Sequence, residues 1–448
     1  MSDYDKLDVW VDAHFDEETH FLQALVQVAT DTPPGNNAPH AERTAELLAG
    51  MGLNAEKHAV PADEVAACGM QSITNLIVRR RFGAGGPVVA LNAHGDVVPP
   101  GEGWTHGPYS GEVVGGKLYG RASAVSKSDF ASYTFALRAL EALGQPLRGT
   151  DQTAVQLRGT DQAVVQLRGT DQTVVPLRGT VELHFTYDEE FGGELGPGWL
   201  LKRGLTKPDL LIAAGFSYQV VTAHNGCLQL EVTLHGLASH AAYPETGIDA
   251  LQAANRLLTA LYAYNDVLRL RRSAVAGISH PYLNVGFIEG GSHTNVVPGK
   301  VLLKLDRRLI PEEDPAAVEA EVRALIEAAV APVAASDGGH GGAGVRLEIR
   351  RLLLAGPLQP LPGNAPLVAA IQRHGQAVFG VPIPTSGSPL YTDVRLYGAQ
   401  GVPAVIYGAG PRTVLESNAK RADEHLVLND LRGATKVVAR TLLDLLRA

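Results

Sequence analysis

Short apolar runs alternate with stretches of helical period through the first half of the chain. Gly86–Ala93 (GPVVALNA) reads as a buried strand, Asp129–Leu143 repeats its apolar positions at helical spacing, and Val181–Tyr187 (VELHFTY) alternates as a strand. The style returns near the other end, with a strand at Ala404–Tyr407 and a helix with an apolar stripe at Leu428–Leu446. Strands that alternate with helices predict an α/β fold, a mostly parallel sheet with helices on both faces. The middle of the chain differs. Leu228–Gly236 (LQLEVTLHG) alternates, Thr246–Leu268 is amphipathic, strands follow at Tyr282–Glu289 and Lys300–Leu309, then a helix over Asp314–Val330 and a strand at Val345–Leu352. This βαββαβ order is that of a ferredoxin-like unit. The expected organisation is one α/β domain from 1–221 and 353–448, with 222–352 inserted as a second domain.

Two segments stand outside this pattern. LRGTDQTAVQ, LRGTDQAVVQ and LRGTDQTVVP run in tandem from Leu147 to Pro176, and removing them joins Pro146 to Leu177 in an ordinary helix-to-strand connection. A period of ten is too short for a helical solenoid. The repeat reads as a duplication tolerated in a surface loop, where added length costs little closure entropy. Asp337–Gly344 (DGGHGGAG) reads as a loop of the inserted domain, too irregular for a phosphate-binding turn.

Composition narrows the classes. The chain has 448 residues, enough for two domains, with 45% hydrophobic and 19% charged residues. A net charge of −9 argues against general affinity for nucleic acid or anionic membrane. Cys68 and Cys227 are the only cysteines, which excludes a disulfide framework or a cysteine-rich zinc fold. The polar, acidic beginning lacks the form of a signal peptide, and no apolar run approaches a membrane span, so a cytoplasmic protein is expected.

The candidate chemistry sits after the predicted strands. His94-Gly95-Asp96 follows the first, Asp188-Glu189-Glu190 follows Val181–Tyr187, and a loop holding Glu416, Asn418, Lys420, Asp423 and Glu424 follows Ala404–Tyr407. In an open α/β sheet the ligand crevice lies beyond the carboxyl ends of the strands, so these loops are expected to converge.

The chain resembles the aminoacylase, acetylornithine deacetylase, succinyl-diaminopimelate desuccinylase and glutamate carboxypeptidase family of di-zinc metallopeptidases. The resemblance rests on AHGDVVPPGEGWTHGPYSGEVVGGKLYGR, TYDEEFGG, GLASHAAYPETGIDA, NVVPGKVLLKLDRR and ADEHLVLND, in the family's order. It implies that His94 stands at a zinc-ligand position with Asp96 supporting it, that Glu189 matches the general base, and that Glu190 matches a ligand of the second zinc. It also implies three losses. Val125 stands where the family has the Asp that bridges both metals, Gly215 where it has an acidic ligand, and Lys420 where it has the last His. Asp129, four residues and one helical turn beyond Val125, is a carboxylate that could in principle replace the bridge. On the substrate side, His240 matches a His that polarises the scissile carbonyl across a dimer interface. Asn295 and Arg308 match positions that hold the substrate carboxylate and carbonyl. Leu390 and Tyr391 replace a glycine-rich stretch, so Tyr391 is expected to reshape the substrate pocket.

Three functions follow as expectations. The first is a metal-independent enzyme acting on a small amide, amino-acid or carboxylate-bearing substrate, with Glu189, His240 and Lys420 as its catalytic groups and no cofactor. The alternatives are a zinc-dependent amidohydrolase with rearranged ligands, and a non-catalytic binding homologue. The expected partners are a small-molecule substrate and a second copy of the chain, paired through the inserted domain. Lys420 is expected within hydrogen-bond reach of Glu190 or Glu189, returning the positive charge that zinc would supply.

Overall fold

The computed structural model describes residues 1–143, 176–331 and 344–447. The tandem repeat up to residue 175 and the glycine-rich loop up to residue 343 lie outside the described residues. The central element is an eight-stranded sheet in the order Ala55–Ala59, Thr74–Gly83, Gly179–Thr186, Val88–His94, Leu210–Ala213, Ala404–Ile406, Val220–His224, Thr385–Ser388. Its middle is parallel, and antiparallel pairs occur at Ala55–Ala59, between Thr74–Gly83 and Gly179–Thr186, and between Ala404–Ile406 and Val220–His224. Helices cover both faces, and burial on two sides explains why Val88–His94 is a nearly continuous apolar run, while Gly179–Thr186 alternates and buries Glu182 and His184.

Register decides what the parallel strands deliver. His94 pairs with Thr186, Asn92 with Ala213, and Ile406 with Ala213. Four strands therefore end at one edge of the sheet, and the residues after each, from Gly95, Tyr187, Ala214 and Tyr407 onward, start from a common line. The Lys127–Leu143 helix packs beneath that edge through Phe130, Phe135, Leu137 and Leu140, against the Leu428–Arg447 helix.

The inserted unit is a four-stranded antiparallel sheet ordered Tyr282–Gly290, Lys300–Leu309, Gly226–His235, Arg346–Ala355. Its two helices, Ala250–Leu268 and Pro315–Val330, bury Leu257, Leu261, Val322 and Ile326 against Leu228, Leu230, Val232 and Leu234. The first helix begins later than its periodicity suggests. Asp249 caps it by accepting from the Leu251 and Gln252 N–H groups at 2.8 and 3.0 Å, and Pro244–Thr246 forms a separate 3-10 turn before it. The sheet order makes the unit ferredoxin-like, as the sequence predicts. Among the described residues no helix is long and apolar enough to cross a membrane.

One buried acid ties the helical layer together. Glu18 is fully buried, and the Thr435 hydroxyl donates to its Oε1 at 2.6 Å. Burial pushes its carboxyl up to about 8, with the Thr435 bond and Arg432 opposing. In the unfolded chain the group titrates near 4.5, so the folded state holds an extra proton between these values. Stability should therefore fall as pH rises from about 4.5 to about 8 and level off above. Glu18→Gln removes the titration, and thermal unfolding should show a Tm gain over the native chain at pH 8 that vanishes at pH 4. A Tm difference independent of pH would contradict this.

Candidate active site

The shared strand edge opens into a cleft of about 400 Å³. His94 ends its strand there, and Gly95 follows because a Cβ at that position would stand 2.4 Å from Tyr187 Cε1. The Tyr187 ring packs on this turn while its hydroxyl lies 2.8 Å from His40 Nδ1. Beyond the turn, Asp96 is fully buried and its Oδ2 accepts from the Glu190 N–H at 3.0 Å, which ties the two acidic loops to each other. His94 Nδ1 is 3.4 Å from Asp96 Oδ1, and its Nε2 is 3.9 Å from Glu189 Oε2. Burial works against a charged His94, but Glu189 and the Asp96 hydrogen bond outweigh it and raise the imidazole to about 10. Burial pushes the Glu189 carboxyl up to about 7, opposed by His94 and reinforced by Glu190. Asp96 is held below the usual carboxylate range, because His94 and the backbone donors overcome its burial.

The third loop reaches the same place by an ion pair. Arg121 and Glu424 form a buried salt bridge, with side chains only 2% and 3% exposed. The Arg121 guanidinium also donates to Pro100 O at 2.9 Å and lies over the Trp104 ring. Glu424 Oε2 accepts the Lys420 backbone N–H at 3.1 Å, which fastens the Ser417–Glu424 turn. In that turn Asn418 and Lys420 adopt φ of 53° and 62°, a region costly for side chains other than glycine. So held, Lys420 extends its ammonium to Glu190 Oε2 at 2.8 Å, with 62% of its side chain still exposed.

The remaining positions from the resemblance do not all reach the cleft. Val125 and Gly215 line the cleft. A Cβ on Gly215 would fall 2.2 Å from Ile406 Cγ2, so that methyl occupies the space where a larger residue would begin. Asp129 does not join them. Its Oδ1 accepts from the Ala409 N–H at 2.7 Å, it is fully buried, and it is absent from the cleft lining. Among the described residues, no three His, Cys, Asp or Glu side chains are grouped so as to hold a metal ion.

Arg308 and Tyr391 face the cleft together, with the guanidinium 5.6 Å from the ring centroid. One side of the Arg308 guanidinium is engaged: Nε and Nη2 donate to the two Asp306 oxygens at 2.6 and 3.2 Å. The end-on Nη1–Nη2 side keeps its N–H groups for a ligand. His240 and Asn295 lie elsewhere. Both are exposed on the inserted unit, held side by side by the Ala241 N–H donating to Asn295 O at 2.9 Å, and neither lines the cleft of its own chain. Sequence reasoning missed Ile406 and the Arg121–Glu424 pair. The Gly120-Arg121 step was a usable signal for the pair, whereas nothing local marks Ile406.

Comparison with known proteins bears on this geometry. Residues 222–334 match the peptidase dimerisation domain, and residues 90–157 match peptidase family M20/M25/M40. The chain is 27% identical over 391 residues to a protein named succinyl-diaminopimelate desuccinylase from Rhodospirillum rubrum, covering 85% of this chain and 88% of the relative. It is 27% identical over 341 residues, 74% of this chain and 75% of the relative, to one named acetylornithine deacetylase from Edwardsiella ictaluri. The solved M20 family metallo-carboxypeptidase Sso-CP2 from Sulfolobus solfataricus shares the fold, with a TM-score of 0.71 at 18% identity over 96% of this chain and 99% of that one. Both parts of the chain are thus homologous to M20 peptidases and deacylases.

The Gly215–Ile406 contact makes a direct prediction. Gly215→Ala should overpack this point and cost roughly 1–3 kcal/mol in denaturant unfolding. Adding Ile406→Ala should recover part of that loss relative to Ile406→Ala alone. Strict additivity of the two changes would show that they do not share the space.

Proposed function

We propose that this chain is a metal-independent enzyme on the M20 scaffold, acting on a small amide or amino-acid derivative that bears a carboxylate. The observation that carries the reading is the Lys420 ammonium on Glu190 at 2.8 Å. A metal ligand must offer a lone pair, and an ammonium offers only donors. Two further points agree with it. Val125 presents methyl groups, and the Ile406 methyl closes the approach to position 215. His94 and Glu190 remain as donors, and two are fewer than a tight zinc site requires. The residues present therefore do not fit a zinc pair.

In this reading Glu189 is the general base, 3.9 Å from an imidazole that Asp96 orients. A cationic His94 and Lys420 offset negative charge that develops on the substrate oxygen. Arg308, through its free Nη1–Nη2 side, and Tyr391 receive the substrate carboxylate, and His240 and Asn295 act from a second subunit. Pairing is supported by the dimerisation-domain match and by the surface itself. The edge strand Tyr282–Gly290 exposes Tyr282, Phe287 and Ile288, beside Leu251, Tyr262 and Val267 exposed on the neighbouring helix.

Three outcomes are expected. With a substrate in hand, Glu189→Gln should lower kcat by about 10²–10⁴-fold, and the native enzyme should keep its rate after dialysis against a chelator. Zinc-dependent turnover lost on chelation and restored by added zinc would overturn the proposal in favour of an amidohydrolase with rearranged ligands. Lys420→His alone should gain no zinc-stimulated amidase activity, and because Lys420 is largely solvated its removal should cost under about 1 kcal/mol of stability. Sedimentation at micromolar concentration should give a dimer that Ile288→Glu converts to monomer, and a native monomer would count against pairing.

A further inference from the structure

The inserted unit touches the eight-stranded sheet by more than the two chain passages that join them. Those passages run side by side: the His224 and Leu358 N–H groups donate to each other's carbonyl oxygens, both at 3.1 Å. Two adjacent crossings alone make a hinge, and relative motion is the default for units joined in this way. A third segment crosses the boundary elsewhere. Residues 269–281 connect the Ala250–Leu268 helix to the Tyr282–Gly290 strand, and part of this loop lies against Thr385–Ser388, the edge strand of the large sheet. The Gly387 N–H donates to Ala276 O at 2.7 Å, so the free edge of that strand is partly covered.

The approach is close because the backbone is bare on both sides of it. Gly277 has a φ of 92°, and a Cβ there would stand 2.5 Å from Gly387 O. A Cβ on Gly387 would stand 2.7 Å from Val275 Cγ1. Val275 and Ile278 flank the crossing and pack with Ala223 of the large sheet and Ile310 of the inserted unit. The base of the loop is held on the unit's own side, where Glu312 Oε1 accepts from Ser273 Oγ at 3.0 Å and from the Ala274 N–H at 2.8 Å. Gln359 Nε2, donating to Pro311 O at 2.7 Å, adds a further tie across the boundary.

We infer that this loop is a strap that fixes the inserted unit on the large sheet whether or not a ligand is bound. The cleft is thereby preformed. Arg308 comes from the unit, and Tyr391 lies three residues beyond the strapped strand, and the two already face each other with the guanidinium 5.6 Å from the ring centroid. A site assembled before binding loses no binding free energy to ordering its parts. The inference rests on the proposed reading only for the use made of Arg308 and Tyr391; the strap itself is independent of what the cleft receives.

The test is hydrogen exchange by mass spectrometry on the full-length protein with no ligand added, joined to small-angle scattering. In the native protein, peptides over 385–392 should exchange as slowly as those of Val220–His224, the strand paired with that edge. Gly277→Val should speed exchange over 385–392 and 273–279 about tenfold or more while Val88–His94 keeps its native rate, and it should enlarge the radius of gyration. Gly291→Val imposes similar backbone strain, at a φ of 79°, with no atom within 4 Å of its Cβ, and should alter neither readout. Glu312→Ala loosens the base of the loop through an exposed side chain and should give the same two changes in smaller degree, which keeps the test decisive if Gly277→Val does not fold. Fast exchange over 385–392 in the native protein, no response to either strap variant, or faster exchange with unchanged scattering would overturn the inference. No substrate is involved, so its failure is separable from that of the catalytic reading. An inert protein with a docked strap leaves the inference standing, while an active one whose strap exchanges fast removes it and keeps the enzyme.

Discussion

The contact on which the cleft depends is the buried pair between Arg121 and Glu424. It joins the loop after Tyr119 to the loop that precedes the final strand and helix, and both side chains are nearly free of solvent. Removing one partner of such a pair leaves an uncompensated buried charge, at about 3–5 kcal/mol. Glu424 has a second task, accepting the Lys420 N–H, and so the pair fixes a turn whose Asn418 and Lys420 sit in the left-handed region. The reach of Lys420 to Glu190 follows from that anchoring, not from packing of its own exposed chain.

From this anchor the two sides of the cleft separate in character. On one side, His94 lies between Asp96 and Glu189, and Lys420 pairs with Glu190. On the other, Val125 and Ile406 fill space against Gly410 and Gly215. At position 215 a larger residue would meet the Ile406 methyl at its first side-chain carbon.

The fold was legible in the sequence because its signals are local. Alternating strand and helix periods give the α/β sheet and the ferredoxin-like unit, and the strand-end loops converge because parallel strands in register end at one edge. The start of the Ala250–Leu268 helix was misplaced by a few residues, since Asp249 caps it inside an apolar pattern that continues upstream. The site was legible only in part. Asp129 has the spacing of a substitute ligand, but the Ala409 N–H, 280 positions away, claims it. Arg308 has the chemistry of a carboxylate fork, and Asp306, two residues earlier on the same strand face, engages its Nε–Nη2 side; the period of two was the available clue. Ile406 was invisible, because its contact with Gly215 exists only once two strands distant in sequence are paired.

The central claim is that an ammonium, and not a metal, neutralises the acidic loops. The most direct measurement is a crystal structure of the protein grown with excess zinc, with anomalous data collected at the zinc edge. The account predicts no anomalous peak between His94 and Glu190, and Lys420 Nζ within hydrogen-bond distance of Glu190. One or two strong peaks in that space, with Lys420 swung out to solvent, would contradict it.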